Sequence, residues 1–102
     1  MQIVENLSEI KGRIVNRIPS SERPGWQDVT VRLERAEKID ERAELLSQFV
    51  GQEIVIGLPD NLAEGATTGA VLETPAKIAG PGRILAAPQA APTARFAIST
   101  DD

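Results

Sequence analysis

Residues 28–35, DVTVRLER, alternate strictly between apolar and polar side chains. Val29, Val31 and Leu33 fall on one side, and Asp28, Thr30, Arg32 and Glu34 on the other. Successive side chains of an extended strand point to opposite faces, so this pattern builds a strand with one face in a core and one in water. A helix would scatter the same three apolar residues around its circumference. The period recurs in residues 9–18, EIKGRIVNRI, which places Ile10, Gly12, Ile14 and Ile18 inward and Lys11, Arg13 and Arg17 outward. It recurs again in residues 52–58, with Ile54, Ile56 and Leu58 inward. Gly12 within the first of these strands predicts a bulge or a close backbone approach.

The connections carry their own chemistry. Residues 19–27 form a link in which Arg23-Pro24-Gly25-Trp26 fits a type II turn: proline presets one dihedral angle and glycine supplies the positive φ. Residues 40–50, DERAELLSQFV, change period, with Ala43, Leu46, Phe49 and Val50 recurring at three and four. This spacing predicts a short α-helix, with Asp40 as N-cap, Glu41 and Glu44 near the positive end of its dipole, and Gly51 as the stop. Residues 67–73 and 76–79 read as two short strands broken at Pro75. Gly80-Pro81-Gly82-Arg83 is a second Pro-Gly turn, so residues 83–86 are expected to fold back as a hairpin. Residues 86–94 hold five alanines and two prolines and read as a connector. Residues 95–99, RFAIS, form a last strand.

The order is strand, strand, helix, strand, then short strands, without the repeated alternation of a parallel α/β sheet. The expected fold is mainly β: a small antiparallel barrel, OB-like or SH3-like, with one short α-helix around residues 40–50. An OB-type barrel usually carries its helix before the fourth strand, whereas this count puts it earlier. With 102 residues the chain is read as one domain over residues 1–102, with a small core. Aromatics are 3% of the chain, Trp26, Phe49 and Phe96, so that core is built of Ile, Val, Leu and Ala.

The missing residue types restrict function. There is no Cys and no His. That removes thiolate nucleophiles, imidazole acid–base chemistry and the commonest metal ligands. No catalytic residue, cofactor or metal ion is expected, and the chain reads as a non-enzyme. The net charge of −4 disfavours nucleic acid, whose binding needs a basic face. The imbalance sits in residues 52–102, with 3 basic and 6 acidic groups, against 8 and 9 in residues 1–51. Neither a signal peptide nor an apolar span of membrane length is visible, so the expected location is cytoplasmic, without membrane association. Asn6-Leu7-Ser8 is a glycosylation sequon only in form.

Several candidate sites follow. Gly80–Arg83 and the loop at residues 65–69 expose glycine amides, but neither matches a nucleotide-binding fingerprint, and both read as turns. The acidic group Glu34, Glu37, Asp40, Glu41 and Glu44 lacks the spacing of a calcium loop and reads as a capped, solvated helix start. Lys11, Arg13, Arg17 and Arg32 occupy outward positions of two strands and would form a basic strip if those strands pair, though without stacking aromatics and diluted by Asp28 and Glu34. Trp26 lies beside Arg23; burial as a plug at the barrel end is the expectation, and an exposed hot spot the alternative. Phe96 and Ile98 form an apolar tail strand on a Pro/Ala-rich connector. It is expected to close its own barrel, and exchange between copies is the alternative.

The expected function is a protein-interaction module or accessory subunit of a larger assembly, self-associating or docking on a partner protein. The interaction surface is drawn from Arg13, Arg17, Arg23, Trp26, Arg32, Phe96 and Ile98. The alternative is an OB-type oligonucleotide binder that uses the local basic strip.

Overall fold

A computed structural model describes residues 6–39, 43–80, 83–88 and 96–100. Six strands follow one another: β1 (Ser8–Pro19), β2 (Trp26–Lys38), β3 (Glu53–Pro59), β4 (Val71–Gly80), β5 (Arg83–Ala86) and β6 (Ala97–Ser99). They hydrogen-bond in the order β1-β2-β3-β5-β4-β6, and β1 also pairs with β4. That last pairing closes the first five strands into a barrel. All neighbours are antiparallel except β3 and β5, which run parallel. A closed barrel leaves few sheet edges exposed to other chains. No described helix is long and apolar enough to cross a membrane.

The alternating residues fill the barrel as their period requires. Ile10, Ile14, Val29, Val31, Leu33, Ile54, Ile56, Leu58 and Leu72 form one buried cluster. Gly12 is needed at its place: an added Cβ would lie 3.0 Å from the Arg32 carbonyl oxygen and 3.3 Å from the Val31 Cβ. The Arg23–Trp26 turn forms as its sequence dictates, with the Trp26 N–H on the Arg23 carbonyl at 3.1 Å and Gly25 at φ 85°. The hairpin of β4 and β5 also forms; residues 81 and 82 at its tip lie outside the described residues.

Four expectations are corrected. Residues 43–50 do not form an α-helix; they hold one 3-10 turn at Ser47–Phe49, while Asp40 and Glu41 lie outside the described residues. An α-helix would hand the Ala43 carbonyl to the Ser47 N–H. Here that carbonyl accepts from the Leu7 N–H at 3.0 Å, and the Ser47 N–H donates to the Glu44 carboxylate at 2.9 Å. β4 runs unbroken through Pro75. The Pro75 carbonyl accepts from the Ala87 N–H at 2.7 Å, so its missing donor falls on the β5–β6 side. There β6 stops pairing at Glu73 and β5 starts at Ala76, leaving no ladder donor to supply.

The third correction concerns β1. Its register against β2 slips between Ile14 and Asn16, which makes Val15 an extra residue. Every side chain beyond it changes face. Ile18 then stands opposite outward Asp28 and is 53% exposed, and Arg17 stands opposite buried Val29. Ile18 is therefore not a core residue, and Arg17 does not belong to the outer strip. The fourth is Trp26, which takes no part in the core.

Both tail residues pack inward in part. β6 pairs with β4 of the same chain, matching Leu72 with Ile98, and Phe96 and Ile98 are half-buried against the main cluster. Residues 89–94 of the predicted connector, and Arg95 of the predicted last strand, lie outside the described residues.

Candidate functional site

The outer face of the barrel can be read row by row from the register. Arg13, Arg32 and Glu53 form one row; Asn16, Thr30 and Val55 the next; Ile18, Asp28, Gly57 and Leu85 the third; Trp26 and Pro59 the last. The first row is thus ionic, while the third and last set Ile18, Leu85, Trp26 and Pro59 around the carboxylate of Asp28. The expected basic strip is broken up by carboxylates and carbonyl oxygens. Arg13 lies 3.8 Å from Glu34 and donates to the Gly69 carbonyl at 2.9 Å. Arg17 donates to the Ala63 carbonyl at the foot of the barrel. Arg35, a neighbour of Lys11, lies 3.8 Å from Glu37. Lys11 also stands opposite Glu73, and Arg32 opposite Glu53. Each cation has a carboxylate or a carbonyl close by, so the strip offers phosphates no uniform field.

The Trp26 end of this face holds a groove of about 300 Å³, lined by charged as well as apolar side chains. The β1–β2 loop, through Ser20 to Arg23, forms one wall, and Arg83, Ile84 and Leu85 of β5 form the other. Trp26, Asp28, Val55 and Gly57 make its floor. The loop is shaped by Ser20, whose hydroxyl oxygen accepts from the N–H groups of Glu22 at 3.3 Å and Arg23 at 3.2 Å. Glu22 and Arg83 reach toward each other across the mouth at 3.4 Å. Gly57 gives the floor its shape: an added Cβ would lie 2.7 Å from a Leu85 methyl carbon and 3.5 Å from the Trp26 ring. The indole and the leucine close over this missing side chain, and the Arg23 guanidinium lies 5.3 Å above the indole centroid.

Among the predicted site residues, Arg23 and Trp26 meet in this groove. Arg13 and Arg32 are cross-strand neighbours in a separate, mixed-charge patch. Phe96 and Ile98 lie at the β4 side with the Gly65 loop, where an added Gly65 Cβ would meet Ile98 at 3.7 Å. That loop is committed to the fold: Gly69 N–H donates to Ile14 and Ala70 accepts from Ile14, both at 2.8 Å. The sequence reading missed Val55, Gly57 and Leu85. A glycine inside an otherwise alternating strand was the available signal for the last two.

The acidic cluster also resolves into separate pieces. The Glu44 carboxylate accepts from the Ser8 hydroxyl at 2.6 Å and from the Leu46 N–H at 2.8 Å, as well as from Ser47. Burial works to raise its pKa, but the hydrogen bonds from Ser47, Ser8 and Leu46 together hold it below its ordinary value. This is a structural anchor for the residue 43–50 segment. No group of metal-ligating side chains is assembled among the described residues. Comparison with protein families, with curated proteins and with solved structures finds no match to this chain.

Proposed function

We propose that the chain is a non-catalytic protein-recognition module on an OB-type barrel, and that its partner docks in the groove beneath the β1–β2 loop. The OB assignment rests on strand order: a five-stranded barrel in which β3 skips β4 to pair with β5 is a Greek-key arrangement. The observation that carries the functional reading is the position of Trp26. A chain with one tryptophan and a core poor in aromatics gains most by burying it, yet this one lies outside the core, with Arg23 above it and Val55, 49% exposed, in the same floor. Tryptophan and arginine beside apolar surface, ringed by polar residues, is the composition of an interface hot spot. The absence of Cys and His, which supply the commonest nucleophile and acid–base pairs, supports a binding role over a catalytic one.

One observation favours a second reading. OB barrels hold oligonucleotides on the β2–β3 face between their loops, which is where this groove lies. Glu22 and Asp28 in the same groove, and the net charge of −4, weigh against phosphate there. Affinity capture with the wild-type chain and Trp26→Ala, with and without nuclease, separates the two. A stoichiometric protein that survives nuclease and is lost with Trp26→Ala is the expected result. Recovery of nucleic acid, with proteins lost after nuclease, would establish the second reading. Capture unaffected by Trp26→Ala would remove the groove from both.

A further inference from the structure

The outward side chains of β2 are arranged symmetrically in charge. Asp28, Thr30 and Arg32 alternate with buried Val29, Val31 and Leu33, and the ladder with β3 is regular from end to end. Thr30 is the midpoint. The acid and the base lie two residues to either side of it, about 7 Å along the strand. The row through Thr30 is uncharged: Asn16, Thr30 and exposed Val55. Glu53 stands opposite Arg32, but among the described residues neither the Asp28 nor the Arg32 side chain makes a hydrogen bond or an ion pair. Their settings differ. Asp28 is half-buried and lines the floor of the groove, whereas Arg32 is exposed and stands outside it.

We propose that this face binds a second copy of the chain, about a two-fold axis that runs along the row of Asn16, Thr30 and Val55. The inference rests on the protein-recognition reading and names its partner. Rotation about that axis lays the third row of one copy over the first row of the other. Asp28 then meets the second copy's Arg32, and Arg32 meets its Asp28. Facing sheets pack about 10 Å apart, a gap that a short aspartate and an extended arginine bridge together. The arginine of each copy thus enters the groove of the other. At the axis Val55 lies against its own counterpart. Ile18 lies on the stem of the second copy's Arg13, and Gly57 opposite its Glu53, so no like charges meet in these rows. An isologous contact requires opposite charges at equal distances from its axis, because each must meet its complement on an identical surface. Contact with a different protein carries no such requirement.

The test is sedimentation equilibrium on the full chain and on charge-reversed variants. The wild type should dimerise reversibly. Asp28→Lys or Arg32→Glu alone turns both symmetry-related ion pairs into like-charge contacts and should weaken the dimer by about tenfold. An equimolar mixture of the two variants should recover the affinity as a heterodimer. The substituted lysine of one chain then faces the substituted glutamate of the other, and its Arg32 faces the other's Asp28. Val55→Glu, which sets two carboxylates together at the axis, should dissociate the dimer while the far-UV circular dichroism of the barrel is retained. A wild-type chain that stays monomeric at roughly 1 mM, where even a weak contact populates a dimer, would overturn the proposal. So would single variants that dimerise as the wild type does, or folded variants whose mixture does not recover. The protein-recognition reading would then still stand or fall by Trp26-dependent capture.

Discussion

Asn6 completes the barrel with a side chain where the backbone runs out. β1 pairs with β4 as far as Ser8 opposite Ala76. Two residues further along β4, Asn6 takes over: its Oδ1 accepts from the Ile78 N–H at 2.8 Å and its Nδ2 donates to the Ile78 carbonyl at 3.1 Å. The amide thus presents the same donor and acceptor pair as a strand residue. Asn6 is 4% exposed, so water has little access to its end of this contact. Asn6→Ala removes both partners and leaves a backbone donor and acceptor behind. Each orphaned buried group costs about 1–3 kcal/mol, and because Ile78 is only half-buried the lower part of that range applies to each. The expected loss is about 2–3 kcal/mol. For a domain of this size that lowers the thermal midpoint by roughly 10–20 °C. Urea unfolding followed by far-UV circular dichroism should show the midpoint falling at unchanged slope. Asn6→Asp is the informative companion: it keeps the acceptor for the Ile78 N–H but sets a carboxylate against the Ile78 carbonyl, so it should recover part of its deficit when acid protonates it. An Asn6→Ala protein within 0.5 kcal/mol of wild type, a bound set by ordinary surface substitutions, would refute the argument that this side chain substitutes for a strand.

Three further outcomes follow from the same geometry. Glu44 has a depressed folded-state pKa, so its contribution is present above the unfolded value near 4.5 and is lost as pH falls through the folded one; Glu44→Gln should be less stable than wild type at pH 7, with the gap closing in acid in paired denaturation curves. Gly12→Ala should cost about 1–3 kcal/mol and Gly57→Ala less, although the Gly57 contact is the shorter, because Gly12 meets a backbone oxygen and Gly57 the end of a leucine side chain; equal losses in thermal unfolding would contradict this. Ile56→Ala, at a position with no exposure, should cost about 2–5 kcal/mol, and Trp26→Ala clearly less despite the larger side chain removed, since the indole lies outside the core; the reverse order in urea would return Trp26 to a core role.

The barrel's interior was legible because burial imposes a period, and the period survives wherever the backbone is regular. Val29, Val31 and Leu33, and Ile54, Ile56 and Leu58, could be placed from spacing alone. Reading failed where one residue changed the count. Val15 is β-branched and fits a strand well, so nothing in its chemistry marks it as the extra residue of a bulge. Its insertion reversed the faces of Arg17 and Ile18 together. The residue 43–50 segment failed for a different reason. Its apolar spacing is helical, but the Ala43 carbonyl goes to Leu7 and the Glu44 side chain takes the Leu46 and Ser47 amides, so long-range contacts outweighed a short stretch of local preference. Pro75 was read as a break because the identity of a strand's neighbour on each side cannot be seen in one strand's sequence.

The same slip at Val15 explains why the candidate site was only half legible. Arg23 and Trp26 sit in a turn whose chemistry is local, and both were identified. The rest of the site depends on which face each strand shows, and β1 shows the reverse of its apparent pattern beyond residue 15. Strict alternation would have put Ile18 in the core and Arg17 on the outer face beside Asp28, making that row ionic. The bulge instead puts Ile18 beside Asp28 and the Gly57–Leu85 contact, and sends the Arg17 guanidinium to the Ala63 carbonyl, where it ties β1 to the foot of the barrel. One inserted residue therefore does two things. It leaves the outer face apolar between Ile18, Val55 and Trp26, and it leaves Asp28 without the arginine that alternation would have set opposite it. The exposed apolar side chain of Ile18 and the carboxylate of Asp28 standing opposite it are consequences of the same irregularity.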